Sequence, residues 1–356
     1  MKTVKNFFMM ALDMQLFADV TNTTGSNSTG NNLSAEMKTF YDKVLLREAG
    51  PNLVHSQFGQ KRDIPKGSGK TIEFRKFNQL PKALTALTEG VTPDGSGIAV
   101  SYITKELAQY GYFVRVSDVL DLTAIDNVIV EATQLLGAQA GVTMDTVVRN
   151  QLSAGNNVLF CPTVASGTET AVTQRKNMNT TSQLTVKMIQ KAVATLKKNN
   201  VPTFNGDYVA IIHPYVAYDL QRDPEWIDAH KYAQPENLFT GEIGKVAGVR
   251  FVESTEAKVW KDSDCPQKSA GSGSDPATYY GVFSTLVLGK NAYGVTEVTG
   301  GGLQTIVKPL GAGEDPLNQR STVGWKGILT AKILLEQNMV RIESVSAEWS
   351  GTVDAN

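Results

Sequence analysis

The chain has 356 residues, with 34 Lys and Arg against 35 Asp and Glu and a net charge of −1. That balance excludes a protein that coats nucleic acid through bulk positive charge, and two cysteines, Cys161 and Cys265, exclude a disulfide framework. At 41% hydrophobic and 19% charged residues, there is apolar material for one large or two moderate domains with much buried or self-contacting surface.

Lys2 and Lys5 precede an apolar run, Phe7–Leu12, that is short for a secretory leader, is broken by Asp13 and has no Ala-x-Ala site after it. No export is expected, and the N-x-S/T triplets at Asn22, Asn27, Asn32 and Asn179 then carry no weight. Met14–Ala18 reads as a small apolar peg on a low-complexity tether, residues 20–34. Ser34 is placed to cap a short helix over Ala35–Leu46. The whole segment up to about residue 60 reads as an arm rather than as core.

Gly69-Lys70-Thr71 matches the end of a phosphate-binding loop, but the first glycine that loop requires falls on Ile64. The residues that follow, Thr71–Phe77, alternate like a strand where a phosphate loop needs a helix N-terminus. A Gly-rich turn entering a strand is the better reading. From there a long two-stranded ribbon is predicted: out along Thr71–Phe77, around a loose tip near Asn78–Gly97, and back along Ile98–Val116. An isolated ribbon is marginal in water, so its partner is expected to be another molecule.

Between Asp121 and Gly155, apolar residues at Ile125, Val128, Ala132, Leu135, Val142 and Val148 follow a 3.6-residue period and predict one long helix. Asp121 or Thr123 is placed to cap it, and Gly155 to follow its C-cap. Gln134, Gln139 and several threonines argue against a membrane span. Gly137 and Gly141 would admit another backbone close by. A second amphipathic helix is predicted over Gln183–Asn199, with Lys197 and Lys198 at the negative end of its dipole.

Asp207–Ile212 has the pattern of a buried strand. A helical turn over Val216–Arg222 follows, then an Asp223 cap with Pro224 at the first helical position. Further strands are expected at Val249–Glu253, Tyr279–Leu288 and Gln304–Val307, with a largely apolar return over Gly324–Ser346. Residues 255–278 read as an exposed polar loop carrying Cys265. Strands and helices mix without regular alternation, so the class is α+β. The histidines (His55, His213, His230) are not spaced as a metal pair with Cys, Asp or Glu. A Cys161–His213 thiol–imidazole pair can be drawn, but His213 before Pro214 reads better as a hydrogen-bonding group at a strand end. No catalytic residue, cofactor or metal is expected.

Several runs together resemble the N-four-type family of tailed-phage major capsid proteins. They are Tyr208–Pro214, Ala217–Leu220, Asp223–Trp226, Gly241–Gly244 and Gly248–Phe251, then Gly289–Gly294, Gln304–Gly311, Asp315–Arg320 and Gly324–Lys326. Met14–Ala18 is similar to the opening of many phage capsid proteins. The resemblance runs in order over about residues 35–345; residues 1–13 and the long 255–278 loop depart from it.

The resemblance implies the Hong Kong 97-type capsid fold. It divides the chain into an N-terminal arm (1–60), an extended hairpin loop (61–118), a peripheral domain with the spine helix (119–206), an axial domain (207–303) and a return to the peripheral domain (304–356). It implies a shell protein that assembles with itself into hexamers and pentamers around double-stranded DNA in the host cytoplasm. Scaffolding, portal and decoration proteins are the implied partners, with non-specific genome contact and no membrane. A bacterial compartment shell of the same fold and a soluble enzyme are the alternatives. In such a fold the ribbon lies across a neighbour, so Lys70, Arg75, Lys76, Tyr110, Tyr112, Trp226 and His230 are the candidate subunit contacts. Basic residues on the ribbon (Lys66, Lys70, Arg75, Lys76, Lys82) would meet an acidic patch there.

Overall fold

The computed structural model describes residues 45–356 apart from 46, 50–52, 66, 68, 78, 79, 81, 83, 85, 87, 88, 91–94, 96, 124–127, 232–243, 270–276, 299–301, 310–316 and 318. In chain order the elements are β1 (Gln60–Ile64), β2 (Thr71–Phe77), β3 (Val100–Glu106), β4 (Ala108–Ser117), α1 (Asp118–Thr123), α2 (Val128–Ser153), β5 (Val158–Phe160), β6 (Thr163–Ala165) and β7 (Thr168–Thr170). Then come α3 (Val186–Lys198), β8 (Tyr208–Ile212), α4 (Pro214–Gln221), α5 (Pro224–Lys231), β9 (Lys245–Val246), β10 (Val249–Glu253), β11 (Val259–Trp260), β12 (Gln267–Ser269) and β13 (Thr278–Tyr279). The last are β14 (Val282–Leu288), β15 (Tyr293–Val298), β16 (Gln304–Lys308), β17 (Arg320–Ile333) and β18 (Met339–Val345).

One sheet has the order β5-β18-β14-β8-β10-β9, with β11 also on β14. Strands β8, β14 and β18 are buried along their whole length, which is why they read as continuous apolar runs. Alternate residues part to two sides. Tyr208, Ala210 and Ile212 pack with Met188, Ile189 and Leu196 of α3 and Leu220 of α4, whereas Ile211, Leu286 and Leu288 pack with Leu152 and Val148 of α2. The two long helices therefore cover opposite faces of this sheet. One carboxylate starts two helices: Asp223 Oδ2 accepts the Val186 N–H at 2.8 Å and Oδ1 accepts the Glu225 N–H at 3.1 Å.

The second sheet has the order β1-β15-β17-β16, with β4 on the other side of β17. Helix α2 lies across it, so close that a Cβ on Gly327 would run into the Met144 side chain. Trp325 Nε1 donates to Gln139 Oε1 at 3.0 Å. At 1.5 Å per residue, α2 is a rod of about 39 Å.

Several expectations need correction. The helix predicted from Asp121 is described over Asp118–Thr123 and Val128–Ser153; residues 124–127 between them, and the side chains of both proposed caps, lie outside the described residues. Gly155 has no left-handed φ, so it is not the left-handed residue expected after the C-cap; a Cβ there would sit 3.3 Å from Glu336 Oε2, a tight but not forbidden fit. The described residues between 45 and 58 include core positions, where an arm rather than core was expected. Leu45, Ala49 and His55 are fully or almost fully buried, and Gly137 admits that backbone, with Leu45 O 2.9 Å from where its Cβ would be. The low-complexity tether, most of the Ala35–Leu46 helix and much of the ribbon tip lie outside the described residues.

The ribbon is shorter than predicted. β2 pairs with β3 from Thr71↔Glu106 to Phe77↔Val100, but beyond Leu107 the return strand leaves it: β4 pairs with β17 from Ala108↔Leu329 to Ser117↔Arg320. One face of the ribbon also folds back on its own chain, where Ile72 and Phe74 join Ile64 and Leu107 in a small core. Phe74 lies over the bare backbone of Gly294, 2.7 Å from where a Cβ would be.

The 255–278 loop is partly built in, since β11 pairs with β14 and Cys265 is fully buried. Sheet membership cuts across the expected domain boundaries. α3 packs with the first sheet, β15 belongs to the second, and the 304–356 return contributes β17 to one and β18 to the other.

Candidate subunit-contact surface

Among the described strands β4 pairs only with β17, so ten residues of edge are open. Natural edges are blunted by charge, as β1 is by Lys61, Arg62 and Asp63, but β4 (AQYGYFVRVS) carries only Arg115. Its side chains are exposed on both faces: Tyr112 is 55% exposed, Phe113 likewise 55%, and Val114 is exposed as well. Phe113 packs across Gly324, and Tyr112 is the cross-strand neighbour of Trp325, so this edge is rigid. The apolar surface continues into α1, where Val119, Leu120 and Leu122 face outward. A run of this kind marks an interaction site in a folded protein.

The expected contact residues fall in different places. Lys70 and Tyr110 line a groove of ≈ 1140 Å³ between the ribbon base, α2 and β17, together with Lys105, Gln109, Asn150 and Gln151. Arg75 stands on the outer face of the ribbon, its guanidinium 5.9 Å from the ring centre of its cross-strand neighbour Tyr102. Tyr112 lies on the open edge. Lys76 is in β2 and His230 in α5, but both side chains lie outside the described residues. Trp226 is a core residue, buried at 5% exposure and edge-on to Phe251 at 5.6 Å, which leaves little of it for a neighbour. Phe113 and the α1 leucines were not expected. This strand exposes side chains on both of its faces.

Among the described residues no contact joins Cys161 to His213. Cys161 is fully buried and free, and burial pushes its thiol up; Cys265 is pushed up to about 12, first by burial. Among the described residues no three His, Cys, Asp or Glu side chains gather as a metal-binding group, and no helix is long and apolar enough to cross a membrane. His213 caps α4: its Nδ1 accepts the Tyr215 N–H at 3.2 Å, and its ring packs 5.0 Å from Phe283.

A pH prediction arises here. Burial lowers the His213 pKa from 6.5 to about 4, and a protonated Nδ1 could not accept the cap hydrogen bond. Below pH 6.5 the unfolded chain binds the proton and the folded one does not. Stability is therefore complete above that pH and falls as the pH drops through 4, by about 2 kcal/mol once solvent screening is allowed for. Urea titrations at pH 7 and 4.5 should show a smaller difference for His213→Asn, which keeps a capping acceptor but does not titrate; an unchanged difference rejects this assignment.

Two buried polar nodes carry no signal in residue spacing. His55 and Asp145 are both wholly buried; Asp145 Oδ1 accepts the His55 N–H at 2.7 Å, and Oδ2 lies 2.6 Å from His55 Nδ1. The Tyr293 hydroxyl donates to the His55 carbonyl. The second node is Glu343, gripped by Arg175 and Arg341 beside Trp260. Both fix where elements sit rather than perform chemistry.

A family model described as phage capsid protein matches residues 2–310. No curated protein matches the chain. Among solved structures, the capsid of cyanophage P-SCSP1u is similar at 17% identity and a TM-score of 0.60, over 83% of this chain and 88% of that one. The capsid of cyanophage Pam1 matches at 15% identity and 0.58, over 85% and 92%. That of Ralstonia phage GP4 matches at 14% and 0.56, over 82% and 88%. At these identities the likeness speaks for fold, and the fold is the α+β, Hong Kong 97-like capsid fold. With the family model spanning most of its length, this chain belongs to the phage capsid protein family.

Proposed function

We propose that the chain is the major capsid subunit of a tailed phage of the N-four type, and that its copies join as hexamers and pentamers into an icosahedral shell around double-stranded DNA. The observation that carries this is the open β4 edge running into the apolar face of α1: a soluble monomer has no use for it, and a contact that repeats from copy to copy does. The second sheet with α2 would serve as the peripheral part of the subunit and the first sheet as the axial part.

Assembly in the host cytoplasm, with scaffolding, portal and decoration proteins as partners, belongs to the same reading, as does weak non-specific contact with the genome. No catalytic role is proposed. The family match is to phage capsids, so the bacterial-compartment alternative is not kept. Light scattering and negative-stain microscopy of the purified chain test the proposal. Closed particles or capsomers are expected; a monomer at every concentration and salt would sink it.

A further inference from the structure

Charge balances over the whole chain but is unevenly spread. Between Glu169 and Asp207 no acidic residue occurs, whereas Arg175, Lys176, Lys187, Lys191, Lys197 and Lys198 do. Helix α3 lies in that gap. Its inner stripe, with Met188, Ile189, Ala192 and Leu196, is buried on the first sheet. The outward stripe at helical spacing is Lys187, Gln190, Lys191, Ala194, Lys197 and Lys198, every one exposed. From Lys187 to Lys198 this face runs about 16 Å. Exposed Lys290 extends it past the helix end, its N–H donating to Pro202 O at 2.9 Å.

The nearby carboxylates are already engaged. Glu343 is buried between Arg175 and Arg341, Asp207 pairs with Lys245, and Glu336 takes the Asn156 N–H at the end of α2. Glu169 alone meets the stripe, pairing with Lys187 at its exposed rim. Stability of the helix does not account for the lysines. Lys197 and Lys198 suit its negative end, but Lys187 stands in the first turn, where the dipole favours an acid and none occurs. Lys187 and Lys191, one turn apart, repel each other.

The face also has a partner chemistry. Among the described residues no large hydrophobic side chain is exposed between Val164 and Tyr215. Protein interfaces are rich in aromatic residues and Arg and poor in Lys, so another protein fits badly. Lysines are point charges that hold phosphate without reading bases. Duplex DNA offers one such charge per about 1.7 Å of its axis. Short side chains at Ala194 and Gln190 leave the approach to the helix clear.

We propose that the outward face of α3, with Lys290 at its end, is the surface of the subunit that lies against the packaged duplex, its lysines on phosphates of any sequence. This rests on the shell reading above and gives its genome contact a place on the subunit.

Fluorescence anisotropy of a short mixed-sequence duplex, titrated with the purified chain over a range of salt, tests this. Log affinity should fall with log salt at a slope of about −3 to −5, equally for an unrelated sequence. Lys191→Gln/Lys197→Gln/Lys198→Gln should weaken binding about tenfold or more at low salt and flatten the slope by about 3. The same charge removed at other exposed positions, Lys61→Gln/Lys308→Gln/Lys326→Gln, should leave most of the affinity. Equal losses in the two triple variants would assign binding to bulk charge and overturn the surface.

Ala194→Glu puts an anion in the middle of the face at an exposed position, and should weaken binding as the first triple variant does. It decides the matter if that variant does not fold; unchanged affinity rejects the surface. A chain that holds polyglutamate more tightly than the duplex rejects it too, in favour of an acidic protein. Particle formation is read separately. Normal particles with no duplex binding overturn the DNA surface alone, whereas a wild-type chain that forms no particles overturns the shell reading, and this surface with it.

Discussion

Replacing Glu343 by alanine is expected to lower the unfolding free energy by about 3–5 kcal/mol, the range for removing one partner from a buried charge network. Glu343 is wholly buried in β18. Arg175 grips it with both arms, Nε to Oε2 at 2.7 Å and Nη2 to Oε1 at 2.8 Å, and Arg341 Nε adds a third bond at 3.0 Å. Such charge-assisted, bidentate bonds are the strong ones. The indole of Trp260 lies against both guanidinium groups, at 3.9 Å and 5.3 Å.

Arg341 is also the C-terminal cap of α2, donating Nη1 to the carbonyls of Ser153 and Gly155. Without the carboxylate, two cations would face each other in a dry site, and the end of α2 would lose the group that aims its cap. Burial already holds the Arg341 guanidinium below its ordinary pKa. Glu343→Gln keeps the shape and one acceptor, so about half the loss is expected. Urea denaturation followed by circular dichroism measures both; a Glu343→Ala midpoint equal to wild type would show that the network contributes no net stability.

The sequence pattern located helices and strands better than it located their partners. Periodicity found α2 and α3, because each buries one stripe: Leu136, Ala140 and Val148 in the first, Ile189, Ala192 and Leu196 in the second. The apolar run of β8 found its strand because both faces are covered. β4 was misplaced for a physical reason. Alternation says which side chains are buried but not what covers them, and the covering strand β17 lies some two hundred residues away. A ribbon and a sheet edge look alike on that test.

Trp226 and Cys265 misled in the same way. Both stand among polar residues in the chain, and both are carried into the core by elements packed around them. The candidate surface was half legible. Exposed Tyr112 followed from its place on a strand with too little to cover it, whereas Phe113 and Leu122 became visible only once the edge of the sheet was known. Polar nodes are the least legible part, because a buried His–Asp or Arg–Glu contact joins residues with no regular spacing.

Asp145→Ala should release the strap that ties residues 53–58 to α2, at a cost of about 3 kcal/mol. In the native fold one carboxylate receives both the backbone N–H and the ring of His55, and the Tyr293 hydroxyl holds the carbonyl of the same residue. Among the described residues His55 Nε2 meets no hydrogen-bond partner, and Asp145 is the polar anchor of the ring there. Alanine would strand a buried N–H and a buried imidazole, and Arg149, whose guanidinium burial already holds below its ordinary pKa, would keep Glu256 but lose the lesser support of Asp145.

The neighbourhood cannot collapse to fill the gap. Gly59 already lies under Tyr293, whose ring is 2.6 Å from where a Cβ would be. Asp145→Asn offers an amide oxygen to the backbone N–H and an amide N–H to a neutral Nδ1, so it should lose no more than about 1 kcal/mol. Hydrogen exchange separates local release from global unfolding. The His55 amide should lose about a hundredfold of its protection in Asp145→Ala while amides of β14 and β18 lose far less. Equal losses at all three would mean that the clasp stabilises the whole fold and holds no separable strap.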